Sequence, residues 1–135
     1  MSFDLSVWYS SRPVLPEEAG PFHVALCERR HDGVESSPHV RRFVDELTAR
    51  YPQIDDVPED KVDECPWTIA FDQSEGHVIM CIAGSKAGEM KPIVQGLAAK
   101  HGLVCYDPQV DEVHNPPGPG PALQTPRRPW WKFWG

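Results

Sequence analysis

The chain has 135 residues, with 13 Lys or Arg against 20 Asp or Glu and a formal net charge of −7. That size suits one compact domain, large enough to bury a core without disulfide or metal support. No run approaches the ~20 apolar residues of a spanning helix, and the opening MSFDLSVWYSS lacks the basic-then-apolar order of a secretory signal; a cytoplasmic protein without stable membrane insertion is expected.

Phe3, Leu5, Val7 and Tyr9 alternate with Asp4, Ser6 and Trp8, the period of a strand with one buried face, ended by Pro13 and Pro16. A short helix is expected next, with Pro16, Glu17 and Glu18 in its first turn and Gly33 as its stop. A second helix follows. Ser37 suits its cap, Pro38 its first position, and Val40, Phe43, Val44, Leu47 and Tyr51 form one apolar stripe halted by Pro52.

Residues 53–66 then carry Asp55, Asp56, Glu59, Asp60, Asp63 and Glu64 against the single cation Lys61. Such a run reads as a solvated loop or as an acidic patch aimed at a basic partner. It lacks the regular ligand spacing and central glycine of a calcium loop. WTIAF and HVIMCIA flank DQSEG as a hairpin, closed by Gly76, which tolerates positive φ. The second run is apolar on both parities, as in a central strand covered on both faces. Ser85 suits the cap of a third helix, on which Met90, Ile93, Val94, Leu97 and Ala98 recur at helical spacing, and LVCYD reads as a last strand.

The element order is β-α-α-β-β-α-β. It predicts an α+β, ferredoxin-like split β-α-β domain over residues 1–112: a four-stranded antiparallel sheet backed by two long helices, its first and third strands central. The other face would show Asp4, Ser6 and Trp8. Either the extra helix or the long acidic loop covers it, or it is a binding or dimerisation face with Trp8 as apolar anchor.

Motifs for chemistry are sparse. The chain has no phosphate-binding glycine loop, no HExxH and no GxSxG, and no cofactor is implied. Cys27, Cys65, Cys81 and Cys105 are too scattered for a zinc framework; Cys27 with His31 is one isolated i, i+4 pair. An alternative function, a small hydrolase or transferase, would draw on Asp72 and His77 or on Cys105 with His101 and Asp107. Buried structural cysteines and a local turn hydrogen bond explain those residues more simply.

Residues 113–135 form the expected tail, extended and rich in proline and glycine. It holds Arg127, Arg128 and Lys132 with no acid, and ends in PWWKFWG. The acidic body repels nucleic acid, whose phosphates require cationic contacts, and attracts a basic partner. Trp130, Trp131 and Trp134 would fold onto the open sheet face, serve as a peptide ligand, or meet a membrane surface, the last opposed by the body's charge.

MSFDLSVW, CPW at 65–67, GHVIMCI at 76–82 and HGLVCYDPQ together resemble a family of small uncharacterised bacterial proteins, over roughly residues 1–110. The resemblance implies no reaction. The terminal PWWKFW is similar to the ends of bacterial immunity proteins, which neutralise a toxin by binding it. With the acidic body, that similarity implies a non-enzymatic protein-binding module whose partner is a basic toxin or the like. The residues assigned to contact it are Trp8, Asp55, Asp56, Glu59, Asp60, Asp63, Glu64, Trp130, Trp131 and Trp134.

Overall fold

The structure, a computed structural model, describes residues 2–30 and 33–116. Its centre is strand β1 (Ser2–Trp8), antiparallel along its whole length to β3 (His77–Ala83), from Ser2 opposite Ala83 to Trp8 opposite His77. On its other side β1 pairs with β4 (Val104–Asp107) over Ser6, Val7 and Trp8. The two-residue β2 (Asp72–Gln73) flanks β3, and β5 (Glu112–His114) flanks β4. The sheet is therefore five-stranded, in the order β2-β3-β1-β4-β5.

The alternation of β1 sends Leu5 and Val7 to one face, opposite Met80 and Val78. Helices α2 (Pro38–Arg50) and α3 (Ala87–Lys100) cover that face and bury Phe43, Leu47, Met90 and Val94 against it. The start of α2 follows its sequence: Pro38 needs no partner for a missing N–H, and the Ser37 hydroxyl accepts the His39 N–H at 3.2 Å.

The opposite face is closed by α1 (Pro16–Cys27), which packs Ala19, Phe22 and Leu26 over Trp8, Ile79, Val104 and Tyr106. Glu18 fixes its first turn by accepting the Leu15 N–H at 3.1 Å. Helices thus lie on both faces, and the apolarity of β3 on both parities has its cause here. Among the described residues no helix is long and apolar enough to cross a membrane.

Three expectations need correction. Four strands were expected and five are present. The additional β5 is too short and polar to read by alternation; it returns along β4 through a turn in which Asp111 takes φ 53° and accepts the Tyr106 hydroxyl at 2.6 Å. β5 spans Glu112–His114, and Asn115 after it exchanges two hydrogen bonds with the Val14 backbone.

The second correction concerns WTIAF, which is not a strand. Trp67 alone bridges to Ile82, Phe71 donates its N–H to the Gln53 side chain at 2.9 Å, and Thr68, Ile69 and Ala70 turn outward. The third is α1, which ends at Cys27 rather than near Gly33, with Arg29 turning the chain at φ 61°.

Candidate functional site

The six acidic residues of the 53–66 segment sit on two 3₁₀ turns. Asp55 and Asp56 belong to Ile54–Asp56; Glu59, Asp60, Asp63 and Glu64 belong to Glu59–Glu64. All six are exposed, and among the described residues their single ion pair is Lys61 with Glu64 at 3.5 Å.

The segment is fastened from beneath. Ile54 and Val57 pack onto the larger core, and Cys65 and Trp67 are buried in it. The Trp67 indole donates to the Tyr51 carbonyl at 2.8 Å, and its ring meets Phe71 edge-on with centroids 4.9 Å apart. Val62 stands exposed among the carboxylates, and a cavity of about 200 Å³ lies beside them, lined by Tyr51, Pro58, Lys61 and Glu64. The result is a fixed platform of like charge with apolar points between. Bringing a basic surface onto it relieves the mutual repulsion of its carboxylates.

Trp8 does not belong to such a surface. It is 2% exposed, packed against Phe22 at a centroid distance of 4.8 Å and Tyr106 at 6.3 Å. The face it occupies is the one α1 covers, so Trp8 anchors a second core and is unavailable to a partner. Trp130, Trp131 and Trp134 lie outside the described residues, as does His31 of the Cys27–His31 pair.

The residues of the alternative catalytic reading are kept apart by the sheet. Cys105 pairs with Val7 and sits in the core beneath α2 and α3; burial, and then Asp107, push its thiol up to about 12. The imidazole of His101 turns to Glu46, 2.9 Å away. His77 is fully buried opposite Trp8, on the other face of the sheet from Cys105, with Nδ1 2.6 Å from the Ser74 hydroxyl, a local turn bond to Ser74 where Asp72 was the expected partner. A nucleophile and its base must lie within hydrogen-bond reach; His101, the base expected for Cys105, instead faces Glu46.

A different polar group under α1 escaped the sequence reading. His23 is buried, with Nδ1 2.5 Å from the Ser6 hydroxyl and Nε2 3.5 Å from the Cys27 thiol. The signal is the i, i+4 spacing of His23 and Cys27, one turn before the Cys27–His31 pair. Burial lowers the His23 pKa against a smaller opposing effect of Asp4, and burial followed by Asp4 raises that of Cys27. Both shifts hold the pair neutral, the reverse of an activated thiolate. Among the described residues no three His, Cys, Asp or Glu side chains are arranged to hold a metal ion.

No protein-family model, curated protein or solved structure matches the chain.

Proposed function

We propose that the protein is a non-enzymatic binding module whose acidic platform docks a basic protein, and that it serves as an immunity-type inhibitor of a toxin. The observation that carries this reading is the exposure of Asp55, Asp56, Glu59, Asp60, Asp63 and Glu64 on one core-fastened segment with a single cation among them. A platform already in place loses little conformational entropy on binding, and its charge steers a cationic partner toward it. The burial of Cys105 in the core and the turning of the His101 imidazole to Glu46 support binding over catalysis.

We also read the order β2-β3-β1-β4 as a ferredoxin-like split β-α-β arrangement, with β5 added at one edge and α1 on the second face. The resemblance to small bacterial proteins and the immunity-like PWWKFW end point the same way. Trp130, Trp131 and Trp134 serve in this reading as a second contact on the partner.

The test is binding of the full chain to the protein encoded by the adjacent reading frame, followed by calorimetry at low and high salt. The affinity should fall steeply with salt, and again when Asp55, Asp56, Asp60 and Asp63 are changed to Asn. A complex indifferent to both changes would remove the platform from the interface. A turnover abolished by Cys105→Ala or His77→Ala would replace binding with catalysis.

A further inference from the structure

The acidic body carries a hollow lined with cations at the opposite end of α2. It has a volume of about 610 Å³ and is bordered by Tyr9, Arg12, His39, Arg42, Lys100 and His101, with no Asp or Glu in its lining. The cations come from three segments: the chain leaving β1, the first turns of α2, and the end of α3. Convergence of distant segments on one concavity differs from a chance run of basic residues along a helix.

Two of these cations are held in place by carboxylates outside the lining. Glu46 accepts from Lys100 at 2.8 Å and lies 2.9 Å from His101; Glu18 meets Arg12 at 3.2 Å. Arg42 is exposed and makes no ion pair among the described residues, although the neighbouring Arg41 does, with Asp45 at 3.5 Å. The rings of Tyr9 and His39 stack at 6.3 Å with planes 27° apart, giving the hollow a flat aromatic wall.

We propose that this hollow binds a small phosphorylated molecule through Arg12, Arg42 and Lys100, a function independent of the acidic platform. The volume falls within the range of about 300–1,000 Å³ usual for small-ligand sites. Three cations from different directions exceed what one carboxylate requires, since a single guanidinium satisfies a carboxylate in bidentate fashion. A diphosphate, with more acceptor oxygens than one carboxylate, can engage Arg42 together with the donors that Glu18 and Glu46 leave unused on Arg12 and Lys100. The chain beyond residue 116 does not match them, because it carries Arg127, Arg128 and Lys132 and no acid.

The experiment titrates the full chain at low salt with ADP, with sodium pyrophosphate and with citrate, the last a carboxylate control of similar charge. Saturable binding of ADP or pyrophosphate is expected, tighter than that of citrate and weakened about tenfold or more by Arg42→Glu. Arg41→Glu makes the same charge change on the same helix outside the hollow and should leave binding within a factor of about two. Circular dichroism of both variants confirms that they fold. The proposal falls if no phosphate compound saturates in the millimolar range, if citrate binds as tightly, or if Arg41→Glu weakens binding as much as Arg42→Glu. It falls equally if low salt produces only self-association through the acidic platform.

Discussion

Lys91 on α3 places its ammonium 2.5 Å from a carboxylate oxygen of Asp107, whose side chain is wholly buried at the end of β4. Asp107 also accepts the Gln109 backbone N–H at 3.0 Å and its side-chain amide at 2.6 Å. Gln109 in turn donates to the Asp4 carbonyl and accepts the Asp4 N–H, both at 2.8 Å. β4 reaches along β1 only as far as Ser6, so the Gln109 amide completes the ladder where the strand stops. Asp107 holds that substitute for a strand in position.

Removing one partner of this pair should therefore cost more than a surface ion pair. Lys91→Met leaves a buried carboxylate without its cation and is expected to destabilise by about 3 kcal/mol. Asp107→Asn keeps an acceptor for Gln109, removes the charge and should cost about 1–2 kcal/mol. Burial acts to raise the Asp107 pKa, but hydrogen bonds from Lys91 and Gln109 outweigh it and leave it lowered. Its contribution is thus complete above the unfolded value of about 4 and is lost as pH falls through the folded value. Urea denaturation at neutral and acid pH checks both the order of the variants and the narrowing of their difference in acid.

His23 should produce a second, separate loss of stability at higher pH. Its pKa lies below the unfolded value of about 6.5, chiefly because burial disfavours the imidazolium, with Asp4 opposing weakly. A lowered histidine stabilises the fold above its unfolded pKa, and that share is lost as pH falls through the folded value. The unfolding free energy of the wild type should accordingly decline as pH falls below the unfolded value of about 6.5. His23→Gln removes the titration and should flatten that decline; an unchanged slope would mean that His23 is already free to protonate in the folded protein.

How much of this was legible depended on what each pattern encodes. The alternation of β1 and the stripe of α2 gave elements whose limits the structure reproduces closely, because a buried face dictates side-chain period. Period does not say what does the burying. Trp8 read equally well as an exposed anchor or a covered one, and only the docking of Ala19, Phe22 and Leu26 decides it. WTIAF had strand-like composition, yet its ladder to β3 stops after the Thr68 N–H meets the Cys81 carbonyl, and the Phe71 amide goes to the Gln53 side chain instead. The exposure of the acidic run follows from charge alone, whereas its fastening by Cys65 and Trp67 depends on contacts distant in sequence. The cationic hollow was invisible for the same reason: its lining is assembled from residues 9–13, 39 and 42, 99–102 and 115–116.

Thiol chemistry offers an independent check of the layer under α1. Cys27 is the exposed cysteine, Cys81 is half-buried, and Cys65 and Cys105 are buried. A thiol-specific reagent at neutral pH should label Cys27 first. It should do so more slowly than a free thiol of pKa about 8.5, because burial and then Asp4 raise its pKa and reduce the thiolate fraction. Cys81, pushed up to about 11 by burial and then by Asp4, should follow much later, and Cys65 and Cys105 only on unfolding. Mass spectrometry of timed samples reads the order. Early labelling of Cys105 would show that the core beneath α2 and α3 opens readily.

Gly76 provides the sharpest test of how the hairpin and the approach to α2 are joined. Its expected role was to take a positive φ in the turn, but Gly102 is the glycine with positive φ among the described residues. What Gly76 supplies is absence of a side chain: a Cβ there would run into the Glu35 backbone and the Val34 side chain. The two segments are held together by the Ser37 N–H donating to the Glu75 carbonyl, and the Tyr9 N–H ties the turn to the end of β1 by donating to the Gly76 carbonyl, each at 3.0 Å. Backbone cannot yield to a methyl group as a flexible side chain tip can, so Gly76→Ala should cost about 1–3 kcal/mol through forced separation of these strands of chain. Because the displaced residues lead into the Ser37 cap, the first turn of α2 should exchange its amide protons faster in the variant. Gly96→Ala, in open space on α3, should instead be neutral or stabilising by up to about 1 kcal/mol. Equal effects of the two substitutions in thermal unfolding would show that the close approach at Gly76 is not what requires glycine there.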